Sequence, residues 1–512
     1  MLKRFTVILI AFSLFIPQLA LAGYGEPKDW KLFVNGEEKE VEAFAEITDF
    51  AQETRFKYVP LAQIAGYETS FDAERSRVTS TKGNDSISFV LDSFEAEVTK
   101  NGTTQTVPLT WSVIEQNGST YMDYTDMETL LGLRTIRNKY WTNQPILYVY
   151  NVEQLANDIL PDTTSFVSYI DESPLPPTAF SCKTEWTGTF DMDYGLIGLQ
   201  LKGDIKLNSE IKRQDDLFEI NAELSGNGLY NLIRIILQNS YYSDAEDLIN
   251  LFDLDSSIKF NLFMDSNAIY VQSDQLTPLL IFKDSYYPSS LGGKDDITKQ
   301  LQGKWLKYEF IDSNRAQWQD FMNHLNTKTS GEDVLKMLIN QIIDNHVYAD
   351  NEDTMKKISL LGQLVSDDYF KTQQNSFNLE FDHKALDKML NTAGWWVPSD
   401  NDTPWKKTQK ETAKKYFDRS DFDYSLSEAT ENDITTAQFD MAYQLKDMVE
   451  FGKMRFGNIS VDLSGESTLT PGEQQLQAPS DDTCVIYSEL LSSIAELRRS
   501  AYNNNPNIVK VN

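Results

Sequence analysis

Residues 199–211 read LQLKGDIKLNSEI, and this stretch decides the fold class of the larger part of the chain. Its odd-numbered positions are apolar or small, whereas its even-numbered positions include Asp204, Lys206 and Glu210. A side-chain period of two predicts a long β-strand with one covered face and one solvated face. The same alternation recurs at 218–224, 258–264, 306–310, 377–381, 439–445 and 459–463. The sequence therefore predicts a large antiparallel sheet with one apolar face.

Three further segments carry apolar residues at helical spacing, namely 229–237, 335–343 and 487–497. Amphipathic helices of this kind normally cover the apolar face of a sheet. The predicted fold class is α+β, and residues 182–512 are predicted to form one domain with a curved antiparallel sheet covered by helices.

Charge and the first residues indicate the compartment. The 512 residues include 46 basic and 77 acidic side chains, a net charge of −31, which argues against a nucleic-acid partner. Lys3 and Arg4 precede an apolar run over 5–16 and an Ala-Leu-Ala sequence that ends at Ala22. This pattern is typical of a secretory signal peptide over residues 1–22, cleaved between Ala22 and Gly23. We expect a mature chain without a transmembrane segment, secreted and either free or associated with the cell wall.

Residues 31–150 contain an internal repeat. Asn35-Gly36 and Asn101-Gly102 lie 66 residues apart, and Tyr58 and Tyr121 lie 63 residues apart. Asn-Gly supplies the positive φ angles of a tight hairpin turn, and a short helical pattern follows each hairpin. Each copy is predicted to form a hairpin, a short helix and a strand.

The first copy, with Tyr-Val-Pro-Leu at 58–61 and Phe71-Asp72 further on, resembles the bacterial stalk domain named after the N-terminal domain of copper amine oxidases. The second copy has Met122-Asp123 where that pattern has Val-Pro. The resemblance covers about residues 31–150, and we assign residues 23–155 to this domain. It implies an extracellular stalk module in a bacterium.

The resemblance does not extend to amine oxidase chemistry. The chain has no Asn-Tyr dipeptide that could carry the quinone precursor, and His324, His346 and His383 include no His-x-His pair. The usual nucleophile, zinc-protease and phosphate-loop motifs are absent from the sequence, as is the EF-hand pattern. We therefore predict a non-enzymatic chain with no catalytic residue, no metal ligand and no cofactor.

A linker is predicted between the two domains. Residues 156–181 contain Pro161, Pro174, Pro176 and Pro177 among Asp, Ser and Thr, a composition typical of an extended connector. The alternative is a loop within one continuous domain.

The only two cysteines, Cys182 and Cys484, are predicted to form a disulfide in an exported chain; two unpaired thiols are the alternative. Trp395 and Trp396, with Trp405 nearby, are candidate ligand-binding residues that could stack on sugar rings, although such aromatic residues are more often part of a core. A basic run with five lysines between 406 and 415 is either a solvated helix face or a contact for anionic wall polymers.

The order of long strands, with the hairpin SSIKFNLFMDSNAIYVQSD at 256–274, is also similar to the bacterial lipoprotein-carrier (LolA/LppX-like) fold. That resemblance implies a cavity for an acyl chain or another apolar ligand. The leading hypothesis is a non-catalytic bacterial surface protein, a stalk module with a binding domain, whose partner is a cell-wall polymer or surface protein. The alternative is a carrier of an apolar ligand, and an enzyme of unknown type comes third.

Overall fold

The structure is a computed structural model that describes residues 31–39, 55–100, 102–116, 118–138, 146–194, 199–228, 257–274, 301–344, 351–398, 404–445, 449–451, 454–492 and 495–496. The predicted signal peptide with its cleavage site at Ala22 and Gly23, the predicted helix at 229–237 and His346 lie outside the described residues.

The N-terminal unit contains three small sheets and two short helices. Their strand orders are β11-β12-β1-β2, β3-β10-β9 and β4-β5-β6-β7-β8, and only the β1–β12 pair within them is parallel. The elements are β1 (Lys31–Val34), β2 (Glu37–Lys39), β3 (Arg55–Lys57), α1 (Tyr58–Ile64), β4 (Glu68–Asp72), β5 (Arg77–Lys82), β6 (Asp85–Val90), β7 (Glu95–Lys100), β8 (Thr103–Pro108), β9 (Ile114–Gln116), β10 (Ser119–Asp123), α2 (Tyr124–Leu131), β11 (Arg134–Asn138) and β12 (Ile146–Tyr150).

The internal repeat has a single period of 66 residues. Three pairs of equivalent positions show it: Gly36 and Gly102 in the hairpin turns, Tyr58 and Tyr124 at the helix starts, and Gly66 and Gly132 after the helix ends. All four glycines have a positive φ, which glycine adopts without steric cost. Each copy has the predicted order of hairpin, helix and strand. The predicted equivalence of Tyr58 and Tyr121 is wrong, because Tyr121 lies in β10 before the helix begins.

The larger part of the chain is built on one sheet of 13 strands. Its order is β19-β20-β21-β22-β24-β13-β14-β15-β16-β17-β18-β25, with β23 beside β24, and only the β18–β25 pair is parallel. The predicted α+β class with a large antiparallel sheet and helices is confirmed at this level. The strands are β13 (Ala179–Tyr194), β14 (Leu199–Gln214), β15 (Leu217–Ser225), β16 (Ser257–Met264), β17 (Ala268–Gln272), β18 (Trp305–Glu309), β19 (Phe370–Gln373), β20 (Ser376–Asp382), β21 (Ser420–Glu431), β22 (Ile434–Leu445), β23 (Val449–Phe451), β24 (Met454–Pro471) and β25 (Cys484–Ile486).

Helices cover the two ends of the sheet's apolar face. At one end, the core is formed by helices packed on β19, β20 and β21, with buried side chains such as Phe166, Leu335 and Leu361. At the other end, Trp318 of α5 packs edge-on against Phe218 of β15, with 5.9 Å between the ring centroids. The helices are α3 (Val152–Ile159), α4 (Thr164–Glu172), α5 (Asp312–Asn326), α6 (Gly331–Asp344), α7 (Asn351–Leu364), α8 (His383–Thr392) and α9 (Pro404–Phe417), and residues 487–492 are also helical.

The predicted linker, residues 156–181, is not an extended connector. It begins within α3, contains α4, and reaches irregular backbone only at residues 173–178. Phe166, Tyr169 and Ile170 lie on one face of α4 and are buried in the core with α6. Since the prolines fall between the helices or after them, they interrupt no helical hydrogen bond.

The N-terminal unit packs against the helices of the larger part. A Cβ atom at Gly36 would lie 2.7 Å from Met355 Cγ in α7. Arg134 donates hydrogen bonds to both carboxylate oxygens of Asp344 in α6, each at 2.8 Å. The two predicted domains therefore share a contact surface.

The predicted disulfide is absent, and both cysteines are free. Cys182 lies in β13 and Cys484 in β25, with five strands between them in the sheet. Neighbouring strands are about 4.8 Å apart, so the path across the sheet is about 29 Å. A disulfide needs Cα atoms within about 7 Å. Strand order, which the sequence does not reveal, separates the two thiols.

Candidate functional site

The strand register aligns apolar residues into continuous rows on one face of the large sheet. Directly paired residues in antiparallel strands point to the same face, and alternate residues point to opposite faces. One row crosses eight strands without a polar side chain: Leu379, Leu426, Phe439, Gly465, Trp186, Leu207, Leu224 and Ile258. A neighbouring row contains Phe381, Tyr424, Met441, Leu463, Gly188 and Ile205.

Burial along these rows is uneven. At the two ends of the longer row Leu379, Leu426 and Ile258 are buried. Towards the middle the side chains are only half-buried, and Leu463 is 37% exposed. We call this accessible region the central apolar surface, and its members are Trp186, Ile205, Leu207, Leu224, Phe439, Met441 and Leu463. It lies between the two helix-covered ends of the sheet.

Two glycines shape this surface. A Cβ atom at Gly465 would lie 2.2 Å from Cδ1 of Trp186, so the indole ring lies directly over the glycine. A Cβ atom at Gly188 would likewise lie 2.5 Å from Cδ2 of Leu463. The Trp186 ring also stacks on Phe439, with 5.9 Å between the centroids. The large side chains therefore lie across the strands and form a low apolar floor.

The opposite face of the sheet is polar and acidic. A cavity of about 500 Å³ is lined by Glu380, Asp382, Asp423, Asp440 and Asp462, which come from four neighbouring strands, together with serine and threonine residues. Asp382 and Asp423 are directly opposite each other in the register. Like charges in that position destabilise a sheet.

These carboxylates do not form a metal centre. Among the residues that the structure describes, no group of three or more His, Cys, Asp or Glu side chains is placed to hold a metal ion. Their spacing follows the strands, so each carboxylate faces solvent from its own strand.

The three predicted ligand-binding tryptophans do not form one exposed platform. Trp395 and Trp396 are half-buried and pack against the core. The Trp396 ring lies 5.3 Å from the Phe417 ring, and Lys414 Nζ lies 5.6 Å from its centroid. Trp405, in the first turn of α9, is 67% exposed. Only Trp405 has a ring free enough to stack on a ligand.

Of the three histidines, only His383 has a described side chain. It is the first residue of α8, and its ring stacks on Phe417 with 4.4 Å between the centroids. Its Nδ1 atom is buried and forms no hydrogen bond within the described part of the chain.

A buried polar pair joins α4 to the sheet. The Tyr169 hydroxyl donates a 2.8 Å hydrogen bond to Glu428 Oε1, and Glu428 is 1% exposed. Burial, and next the Glu428 carboxylate, raise the pKa of Tyr169. The hydroxyl therefore stays protonated and fixes the helix on β21. The pair lies within the packed core, so we assign it a structural role.

Sequence reasoning missed the central apolar surface. The alternation identified an apolar face, but not the part that the helices leave accessible. The available signal was the placement of Gly188 and Gly465 within otherwise regular strands, because glycine in a strand often marks a close approach by another group.

The chain matches no model of a known protein family and no curated protein sequence. Among the described helices, none is both long enough and apolar enough to cross a membrane.

Proposed function

We propose that the chain is an exported, non-catalytic bacterial surface protein that binds an apolar ligand, such as an acyl chain, on the central apolar surface. The single observation that carries this proposal is the accessibility of Trp186, Leu463 and their neighbours between two helix-covered ends of the same sheet face. Apolar surface that stays accessible within a soluble protein commonly marks a ligand groove or an interaction site.

The chemistry of the lining supports binding rather than catalysis. The seven side chains of the central apolar surface include no ionisable group, so they offer neither a nucleophile nor a proton donor of suitable pKa. They offer apolar contact, and each ligand CH₂ group removed from water contributes about 0.8 kcal/mol. The N-terminal unit, which resembles a stalk domain, would act as a wall-facing module fixed to this binding domain.

A second candidate is a binder of cell-wall polymer. It is favoured by Trp405, whose 67% exposed ring is free to stack on a sugar. In that case the ligand would contact α9 rather than the central apolar surface.

The two candidates are separated by a matched pair of variants in β24. Leu463→Gln places an amide on the central apolar surface, whereas Asp462→Gln places the same side chain on the polar face. We expect Leu463→Gln to weaken binding of a fluorescent fatty acid about tenfold, as the loss of one apolar contact predicts.

Asp462→Gln is expected to bind the probe as the unsubstituted protein does. Equal binding by both variants, or no binding by the unsubstituted protein, would contradict the apolar-ligand proposal. Loss of wall-polymer binding in Trp405→Ala, with no effect on fatty acid, would support the second candidate.

A further inference from the structure

Helix α9 differs in charge from the rest of the chain. It carries five lysines and one glutamate in 14 residues, whereas the whole chain has a net charge of −31. None of its residues is buried. The helix is therefore a basic element on the surface of an acidic protein.

Its lysines fall into two groups. Lys414 forms ion pairs with Asp387, at 3.1 Å, and with Asp418, and Lys410 Nζ lies 3.4 Å from the carbonyl oxygen of Val397. Lys407 and Lys415, by contrast, form no ion pair within the described part of the chain. These two charges remain available to an external partner.

Two exposed apolar side chains accompany the free lysines. Trp405 is 67% exposed, and Val397, next to Lys410, is 59% exposed. At 100° per residue, Trp405, Lys415 and Lys407 lie within about 160° of arc, on one half of the helix. The acidic residue of the helix, Glu411, lies on the same half. We define the α9 surface as Val397, Trp405, Lys407 and Lys415.

We propose that the α9 surface docks onto a membrane whose lipids carry anionic head groups. A soluble polyanion would need only the lysines, whereas a bilayer interface also accepts an exposed indole and a valine side chain. Tryptophan side chains prefer the head-group region, and each nearby lysine attracts an anionic surface. The combination of free lysines with exposed apolar side chains therefore favours a lipid surface.

The net negative charge of the chain determines the orientation of docking. Exposed charges more than about 8 Å from the lipid surface are screened at physiological salt. Attraction is therefore local to α9, and any other face would present excess carboxylates to the anionic lipids. This inference does not depend on the proposed apolar ligand, because it concerns a different surface and different residues.

The test is co-sedimentation of the full chain with vesicles made of equal parts phosphatidylglycerol and phosphatidylcholine. Lys407→Gln/Lys415→Gln is expected to lower the partition coefficient at least tenfold. Trp405→Ala is expected to lower it severalfold, and Glu411→Gln to raise it. The matched control is Lys183→Gln/Lys259→Gln, which makes the same charge change on the polar face of the sheet and should leave partitioning unchanged.

Circular dichroism of each variant checks that the fold is intact, which is expected because all the substituted side chains are exposed or half-buried. Absence of vesicle binding by the unsubstituted protein would overturn the proposal. So would an equal loss in the control variant, or equal binding to vesicles of phosphatidylcholine alone. Binding that depends on the lysines but not on Trp405, and that a soluble anionic wall polymer abolishes, would overturn it in favour of a polymer partner.

Discussion

Substituting Gly465 by alanine should displace the Trp186 ring and destabilise the sheet. The added Cβ would lie 2.2 Å from Cδ1 and 2.7 Å from Nε1 of the indole, both inside van der Waals contact. Forcing a large side chain to move in this way costs about 1–3 kcal/mol. Replacing glycine by alanine also restricts the unfolded chain, which contributes about 0.4–1 kcal/mol in the opposite direction. The expected net loss is about 1–2 kcal/mol.

A double-mutant cycle isolates this contact. Urea unfolding of Gly465→Ala, Trp186→Ala and the double variant would be followed by far-ultraviolet circular dichroism. With Trp186 already replaced, Gly465→Ala should cost nothing or stabilise slightly, because no ring lies over the glycine. The reasoning is refuted if Gly465→Ala costs the same free energy in both backgrounds, since the cost would then come from the backbone.

Three further predictions concern charge and ionisation. Glu466→Gln should raise the free energy of unfolding by about 0.2–1 kcal/mol at low salt and by less at high salt, because Glu185 is its direct cross-strand partner; urea unfolding at two ionic strengths checks this. Burial raises the pKa of Cys182 to about 11 and also raises that of Cys484. Both thiols should therefore be present, protonated and slow to alkylate at neutral pH, with half-buried Cys484 labelled before buried Cys182; an unchanged labelling count after reduction is expected, and a newly released pair of thiols would contradict it. Burial tends to raise the pKa of Asp367, but hydrogen bonds from the first turn of α4 outweigh it and lower the pKa. Its stabilising contribution is present above the unfolded pKa of about 3.9 and is lost as the pH falls through the lower folded value, so Asp367→Asn should destabilise the protein at neutral pH and weaken the acid dependence of urea unfolding.

Local patterns in the sequence predicted the elements well. The alternation at 199–211 corresponds to β14, and the helical spacing at 335–343 corresponds to α6 with its buried apolar stripe. The Asn-Gly pair predicted the repeat period of 66 residues because a tight turn requires particular residues. These signals are local, so they can be read without knowledge of the tertiary structure.

Features that depend on strand order could not be read in this way. Cys182 and Cys484 were predicted to pair, yet five strands separate them. The proline-rich stretch at 156–181 suggested a linker, although two of its three parts are helical and help to form the core. The central apolar surface depends on which part of the sheet the helices leave accessible, and no local pattern contains that information.

The central claim, that the sheet binds an apolar ligand, is tested most directly by native mass spectrometry of the protein purified without detergent. A discrete excess mass is expected, lost on denaturation and recovered in solvent extracts as an apolar molecule. Leu463→Gln should carry less of that mass than Asp462→Gln. A bare protein mass that stays unchanged after incubation with fatty acid would contradict the claim.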